Sequence, residues 1–185
     1  AKRARIDALL ADQDWIPKAP HFLVFLGNNR RQRQVHAWRG HAFANDHLDA
    51  FFNAAVDGAI ALSAFVVAAE AAGLGCCPVS VIRNHAAEIS ALLELPDHVF
   101  PIAGLGIGWP AVAANISARL PLSATVHHDT YKETTRETVA AYDQRRNGIF
   151  PYRAQRNVAR FGTSADYGWS EEKARHYALP ERADW

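Results

Sequence analysis

The sequence predicts a globular chain of mixed α and β structure, α/β or α+β, and three observations carry that expectation. A long apolar stretch from Asp46 to Ala72 repeats at helical spacing. Short apolar runs of strand length lie before and after it, at 21–27, 74–82 and 99–110. Polar stretches with helical start signals occupy most of what remains. The chain has 185 residues, 49% hydrophobic and 21% charged, enough for one domain with a substantial core. A formal charge of +1 exerts no overall pull on nucleic acid or an anionic membrane, so neither partner is expected.

The elements follow in order. KRARIDALLA (2–11) reads as the end of a helix with Ile6, Leu9 and Leu10 on one face. A chain without Met that opens at Ala1 inside such a run is expected to begin further upstream, and the end at Trp185 is equally abrupt. Pro17 and Pro20 punctuate before the strand HFLVFLG (21–27). NNRRQRQVHAWRGH (28–41), with Arg30, Arg31, Arg33, Arg39 and His36, reads as a solvated surface connection whose charge could steer an anion.

From Asp46 to Ala72, Leu48, Phe51, Phe52, Ala55, Val56, Ala59 and Ile60 mark a helix that is apolar nearly all round beyond Ala59. It is therefore expected to be buried on every side, under a sheet, other helices or a second subunit. Asn53, Asp57 and Glu70 argue against a membrane span. Asn45 or Asp46 is its expected cap, and Gly73 fits a left-handed stop. LGCCPVSVI (74–82) is strand-like. A helix from about His85 to Leu95, capped by Asn84, stops before Pro96. VFPIAGLGIGWP (99–110) is another strand, RLPLSATVHH (119–128) is extended, and 132–147 is a polar helix. The tail is Arg-rich from Tyr152 to Gly168, and a short helix after Trp169 opens on Ser170, Glu171 and Glu172.

The stretch GLGCCPVSVIRNH (73–85) admits four chemical readings: a phosphate loop, a metal site, a redox cysteine pair, or a strand edge facing a planar ligand. A dinucleotide fingerprint needs a third glycine, but Pro78 stands there, and the run follows a helix where a strand is required. Gly104, Gly106 and Gly108 place Trp109 at the required position and lead into Pro110. Adjacent Cys76 and Cys77 face opposite sides of a strand, lack a second pair for a metal, and read as buried small hydrophobes in a reducing cytoplasm. The histidines lack ligand spacing, so no metal is expected, and no Gly-x-Ser-x-Gly elbow exists. The remaining option is a strand whose main-chain N–H groups face the edge of a flat heterocycle, a site that needs few particular side chains.

Taken together, VDGAIALSAFVVAAEAAGLGCCPVSVIRN (56–84), LLELPDHVFPIAGLGIGWP (92–110) and ARLPLSATVHHDTY (118–131) resemble the nitroreductase family of FMN-dependent oxidoreductases. The likeness is to the branch of oxygen-insensitive NADPH nitroreductases and flavin reductases. It implies an α+β fold of three layers, with a central mixed sheet, a long buried helix and an intertwined homodimer. It implies FMN at the active site, NADPH or NADH as electron donor, and ping-pong two-electron reduction of a small aromatic acceptor: a nitroaromatic, a quinone or a flavin. A family member that binds flavin or dimerises without reductase activity is the alternative.

By the same resemblance Pro78, Val79, Ser80 and Val81 line the flavin through main-chain N–H groups, and Ser117 and Arg119 lie in the FMN phosphate segment. Arg153, Arg156 and Arg160 sit where NADPH-preferring relatives carry basic residues for the 2′-phosphate. Relatives often have a lysine where this chain has Ser117, and glycines at Ser80 and Val81. They also open with an Arg-Ser-x-Arg motif that these 185 residues lack.

Overall fold

The computed structural model describes residues 2–179; Ala1 and the end at Trp185 lie outside the described residues. The chain forms two compact units, the first running to Ala113 and the second beginning at Ala114.

The first unit contains α1 (Lys2–Leu9), β1 (His21–Asn28), α2 (Arg30–Trp38), α3 (Leu48–Ala71), β2 (Gly75–Val79), α4 (Ala86–Leu93) and β3 (Val99–Gly108). The strands form one sheet in the order β1-β3-β2. Where a mixed sheet is expected, both pairings within the chain are antiparallel. Central β3 buries Ala103, Leu105 and Ile107. Its glycines 104, 106 and 108 alternate with these and share the opposite face. A Cβ would lie 2.3 Å from Phe22 Cζ at Gly104, 2.6 Å from the Trp15 ring at Gly106 and 2.6 Å from Pro20 Cδ at Gly108. The glycines that mimic a phosphate loop in sequence therefore let three rings rest directly on the strand.

That ring-bearing face carries a core of Ile6, Leu10, Ile16, Ile82, Ile89 and Leu92, joined by Trp15, Phe22 and Val79. Arg3 ties α1 to the turn after it, donating to the carbonyls of Ile16 at 2.6 Å and Ala19 at 3.0 Å. α4 is shorter than expected. His85, not Asn84, occupies its N-cap position, and Glu94 stops it in a left-handed conformation with φ 59°.

α3 packs on the other side of the sheet. His47 caps it, its Nδ1 accepting from Asp49 N–H at 3.3 Å. The expected caps are engaged elsewhere: Asn45 donates to Asp49, and Asp46 pairs with Arg33. Gly73 ends the helix at φ 83°, as its position requires. Burial on every side is not achieved within the chain. Only Ala50, Ala54, Gly58 and Ala69 are buried, whereas Phe52, Ile60 and Val67 are 61%, 61% and 67% exposed. A three-stranded sheet covers one stripe of a helix, and residues 50, 54 and 58 are that stripe.

The connection at 28–41 is also revised, because α2 occupies most of it. Lacking an apolar face, this helix is held by polar links. Arg33 donates to Asn29 Oδ1 at 2.8 Å and to Asp46 at 2.5 Å, and it lies 4.5 Å from the Phe43 ring centre.

The second unit contains α5 (Arg136–Ile149), α6 (Val158–Phe161) and α7 (Trp169–Tyr177). The segment expected to be extended at 119–128 is irregular, with one 3-10 turn at Leu122–Ala124, so His127 and His128 are not on a strand. Tyr142 meets Trp169 edge to face at 5.3 Å. Buried Asp143 on α5 accepts from Ser170 N–H at 3.0 Å and from the Ser170 hydroxyl, capping α7 from another helix. A Cβ at Gly168 would lie 2.5 Å from Asp143 Cγ, so only glycine admits this cap. Asp143→Ala should lower stability by about 1–3 kcal/mol, because it orphans a helix-terminal N–H. The expected readout is a lower denaturant midpoint at unchanged slope.

Candidate functional site

Pro78 and Val79 end β2, an edge strand that, among the described residues, pairs with β3 alone and leaves its outer side unpaired. Proline is tolerated there because an edge needs no outward donor. It also has no N–H, so Pro78 can line a ligand but not donate to one. Ser80 follows at φ −91° and ψ −17°, and Val81 opens a 3-10 turn running to His85. The first N–H groups of such a turn have no acceptor inside it. Pro78 and Ser80 are exposed, whereas Val79 and Val81 are half-buried against the core. The surface of this edge is thus Pro78, Ser80 and main chain, with the side chains of Val79 and Val81 turned toward the core. Arg83, which the sequence reading passed over, fixes the turn by donating from Nη1 to the Ile102 carbonyl at 2.8 Å.

The cysteines are less buried than expected, Cys76 half-buried and Cys77 exposed. Burial pushes both thiols up, Cys76 with a further push from Glu70.

In the second unit, the segment 117–119 is pinned to α5 through its main chain. Tyr142 donates its hydroxyl to the Ala118 carbonyl at 3.1 Å, and Arg145 donates to the Arg119 carbonyl. The Ser117 and Arg119 side chains are left exposed. Among the three tail arginines the structure separates two kinds. Arg156 is ion-paired with Glu172 at 2.7 Å, while Arg153 and Arg160 are exposed. Glu172, 8% exposed, also accepts from the Tyr167 hydroxyl. Burial pushes its carboxyl up, but the hydrogen bonds from Tyr167 and Arg156 outweigh that and hold it below the usual carboxylate range. Its contribution to stability is thus present above the ordinary carboxylate pKa and is lost as pH falls through the depressed folded value. Glu172→Gln should flatten the acid limb of the stability–pH curve, measured by denaturant unfolding at a series of pH values.

Two cavities, of about 380 and 470 Å³, flank α2 and α3 in the first unit. The smaller is lined by Arg33, His47, His98 and the stacked rings of Phe51 and Phe100, the larger by Arg31, His36, Asn53 and Asp57. Neither is lined by residues 78–81.

The model of the nitroreductase family matches residues 2–109, and that of the nitroreductase family's C-terminal domain matches 117–185. The chain belongs to the nitroreductase family. This nitroreductase-family chain is 31% identical over 183 residues to an FMN reductase (NADPH) of Bacillus subtilis, covering 95% of the chain and 73% of the relative. It is 33% identical over 144 residues to an oxygen-insensitive NADPH nitroreductase of Salmonella typhimurium, covering 78% and 58%. Its fold matches B. megaterium NfrA2 with a TM-score of 0.83 at 30% identity, over 98% of the chain and 73% of that structure. It matches the NADPH:FMN oxidoreductase of Vibrio harveyi, solved with NAD+, with a TM-score of 0.79 at 25% identity, over 96% and 69%. The α+β, three-layer expectation holds.

Proposed function

We infer that this chain is an NAD(P)H-dependent flavin oxidoreductase that uses FMN to reduce small aromatic acceptors. The observation that carries the reading is the match of both family models, over 2–109 and 117–185, to a chain whose relatives are named as NADPH-dependent flavin and nitro reductases. The residues present fit FMN. In the first unit the edge at Pro78–Val81 offers the Pro78 ring and main-chain donors from Ser80 and Val81; in the second unit, taken by itself, Arg119 extends an exposed guanidinium suited to a phosphate. When bound, FMN supplies reversible two-electron acceptance. The protein's part is to orient it through fixed main-chain dipoles, which cost no reorganisation during the reaction. In the tail, Arg153 and Arg160 meet the NADPH phosphate, while the charge of Arg156 is already matched by Glu172.

The exposed apolar face of α3, with Phe52, Ile60 and Val67, is covered by a second copy in a homodimer. The setting is the reducing cytoplasm, where both cysteines remain thiols. Steady-state rates with FMN present test the activity. Varying NADPH at several fixed quinone concentrations should give parallel double-reciprocal lines, the mark of a ping-pong cycle at one shared site. No turnover with any aromatic acceptor would refute the reading.

A further inference from the structure

We propose that buried Arg175 is the positioning residue that fixes the shape of the loop 155–164. The proposal rests on the reading above that the tail meets the NADPH phosphate, and it identifies what holds that contact in place.

The loop is closed at its neck by one side chain. Gln155 donates from Nε2 to the Ser164 carbonyl at 2.7 Å and accepts from Ser164 N–H at 2.8 Å. Such compact surface loops, closed on themselves, are frequent carriers of function. Within it, Arg175 of α7 is only 4% exposed. Its Nη1 donates to the carbonyls of Arg156 at 3.0 Å and Gly162 at 2.9 Å, so one guanidinium bridges both limbs of the loop. Glu171 anchors its Nε at 2.7 Å, and the rings of Phe161 and Tyr167 lie 5.7 and 5.1 Å from its Cζ.

The loop backbone is shaped to match. Asn157 and Gly162, which bracket α6, are both left-handed, at φ 47° and 72°. The Arg156 N–H donates to the Tyr167 hydroxyl at 2.8 Å. The main chain of Arg156 and the carbonyl of Gly162 are thus held from Tyr167 and α7, and two of the loop's arginines play different parts. Arg156 points its charge at Glu172, and exposed Arg160 lies with its Cζ 5.4 Å from the Phe161 ring. A loop already fixed in shape presents Arg160 to a phosphate without an ordering cost at binding. A 2′-phosphate then gains a charge-assisted contact that NADH cannot make.

The test uses the FMN-loaded holoenzyme and compares kcat/KM for NADPH with that for NADH. Arg160→Ala should lower the NADPH:NADH ratio by about tenfold or more, the scale of one lost charge-assisted bond. Arg175→Gln should lower the same ratio about tenfold although the residue is buried, through a raised KM for NADPH, and Arg175→Lys should restore part of it. Gly162→Ala, strained at φ 72°, loosens the loop by an independent route and should give the same split. It carries the test if Arg175→Gln does not fold. Arg175→Gln and Gly162→Ala leaving the ratio at the wild-type value, or raising both KM values equally, would overturn the positioning role. An unchanged ratio in Arg160→Ala would instead defeat the reading that the tail meets the phosphate, and the loop proposal with it.

Discussion

Gly58→Val is expected to lower the unfolding free energy of the protein by about 3 kcal/mol, among the costlier overpacking substitutions. Gly58 is buried where α3 crosses the sheet. A Cβ there would lie 2.3 Å from Ile102 Cδ1 and 2.9 Å from the Leu26 carbonyl oxygen. The side-chain contact could be relieved by a new rotamer, but the backbone carbonyl belongs to paired β1 and cannot move without breaking the ladder. The site lies at a register shift between Phe25 and Leu26, where Ile102 is left without a partner in the pairing with β1 and points at the helix. Alanine gains about 1 kcal/mol in helix propensity yet meets the same two atoms, so Gly58→Ala should also destabilise, by less. Chemical denaturation checks both. A variant as stable as the parent would mean that α3 does not rest on the sheet as closely as Gly58 allows.

Ser80→Pro is expected to weaken FMN binding by about tenfold to a hundredfold, the cost of one lost main-chain hydrogen bond that leaves a ligand acceptor unpaired. Ser80→Ala should remain within about twofold, because only the hydroxyl is removed. The comparison is sharp because proline is nearly compatible with the site. Val79 before it is extended, as a residue preceding proline must be, and Ser80 already has φ −91°. The substitution therefore removes one N–H with little change of backbone. Fluorescence titration of FMN into cofactor-free protein measures it. Equal affinities for Ser80→Pro and the parent would show that the Ser80 N–H does not contact the flavin.

How much of this was legible depended on range in sequence. α3 was readable from Phe51, Phe52, Val56 and Ile60, and its end from Gly73, because spacing and a left-handed stop are local signals. β1 and β3 were readable as apolar runs. α2 was not, because RRQRQVHAW has no apolar stripe and is held by Arg33 reaching Asp46 and Phe43, contacts set by the fold. What covers α3 was not readable for a related reason: an all-apolar helix declares that it will be covered but not by which surface. In the candidate site, the strand at 75–79 was legible as an apolar run, whereas the 3-10 turn from Val81 to His85 was not, since Arg83 holds it by reaching the Ile102 carbonyl. The pairing of Arg156, with Arg153 and Arg160 left exposed, was not legible either. It turns on Glu172, sixteen residues beyond Arg156, and on Arg175 beneath the loop.

The most direct test of the central claim is an anaerobic titration of the FMN-reconstituted protein with NADPH. The account predicts a yellow protein whose visible flavin absorbance is bleached by NADPH and returns when a quinone is added. A protein that stays yellow under NADPH would be a flavin-binding relative without reductase activity, and one that takes up no FMN at all would contradict the assignment of the flavin site itself.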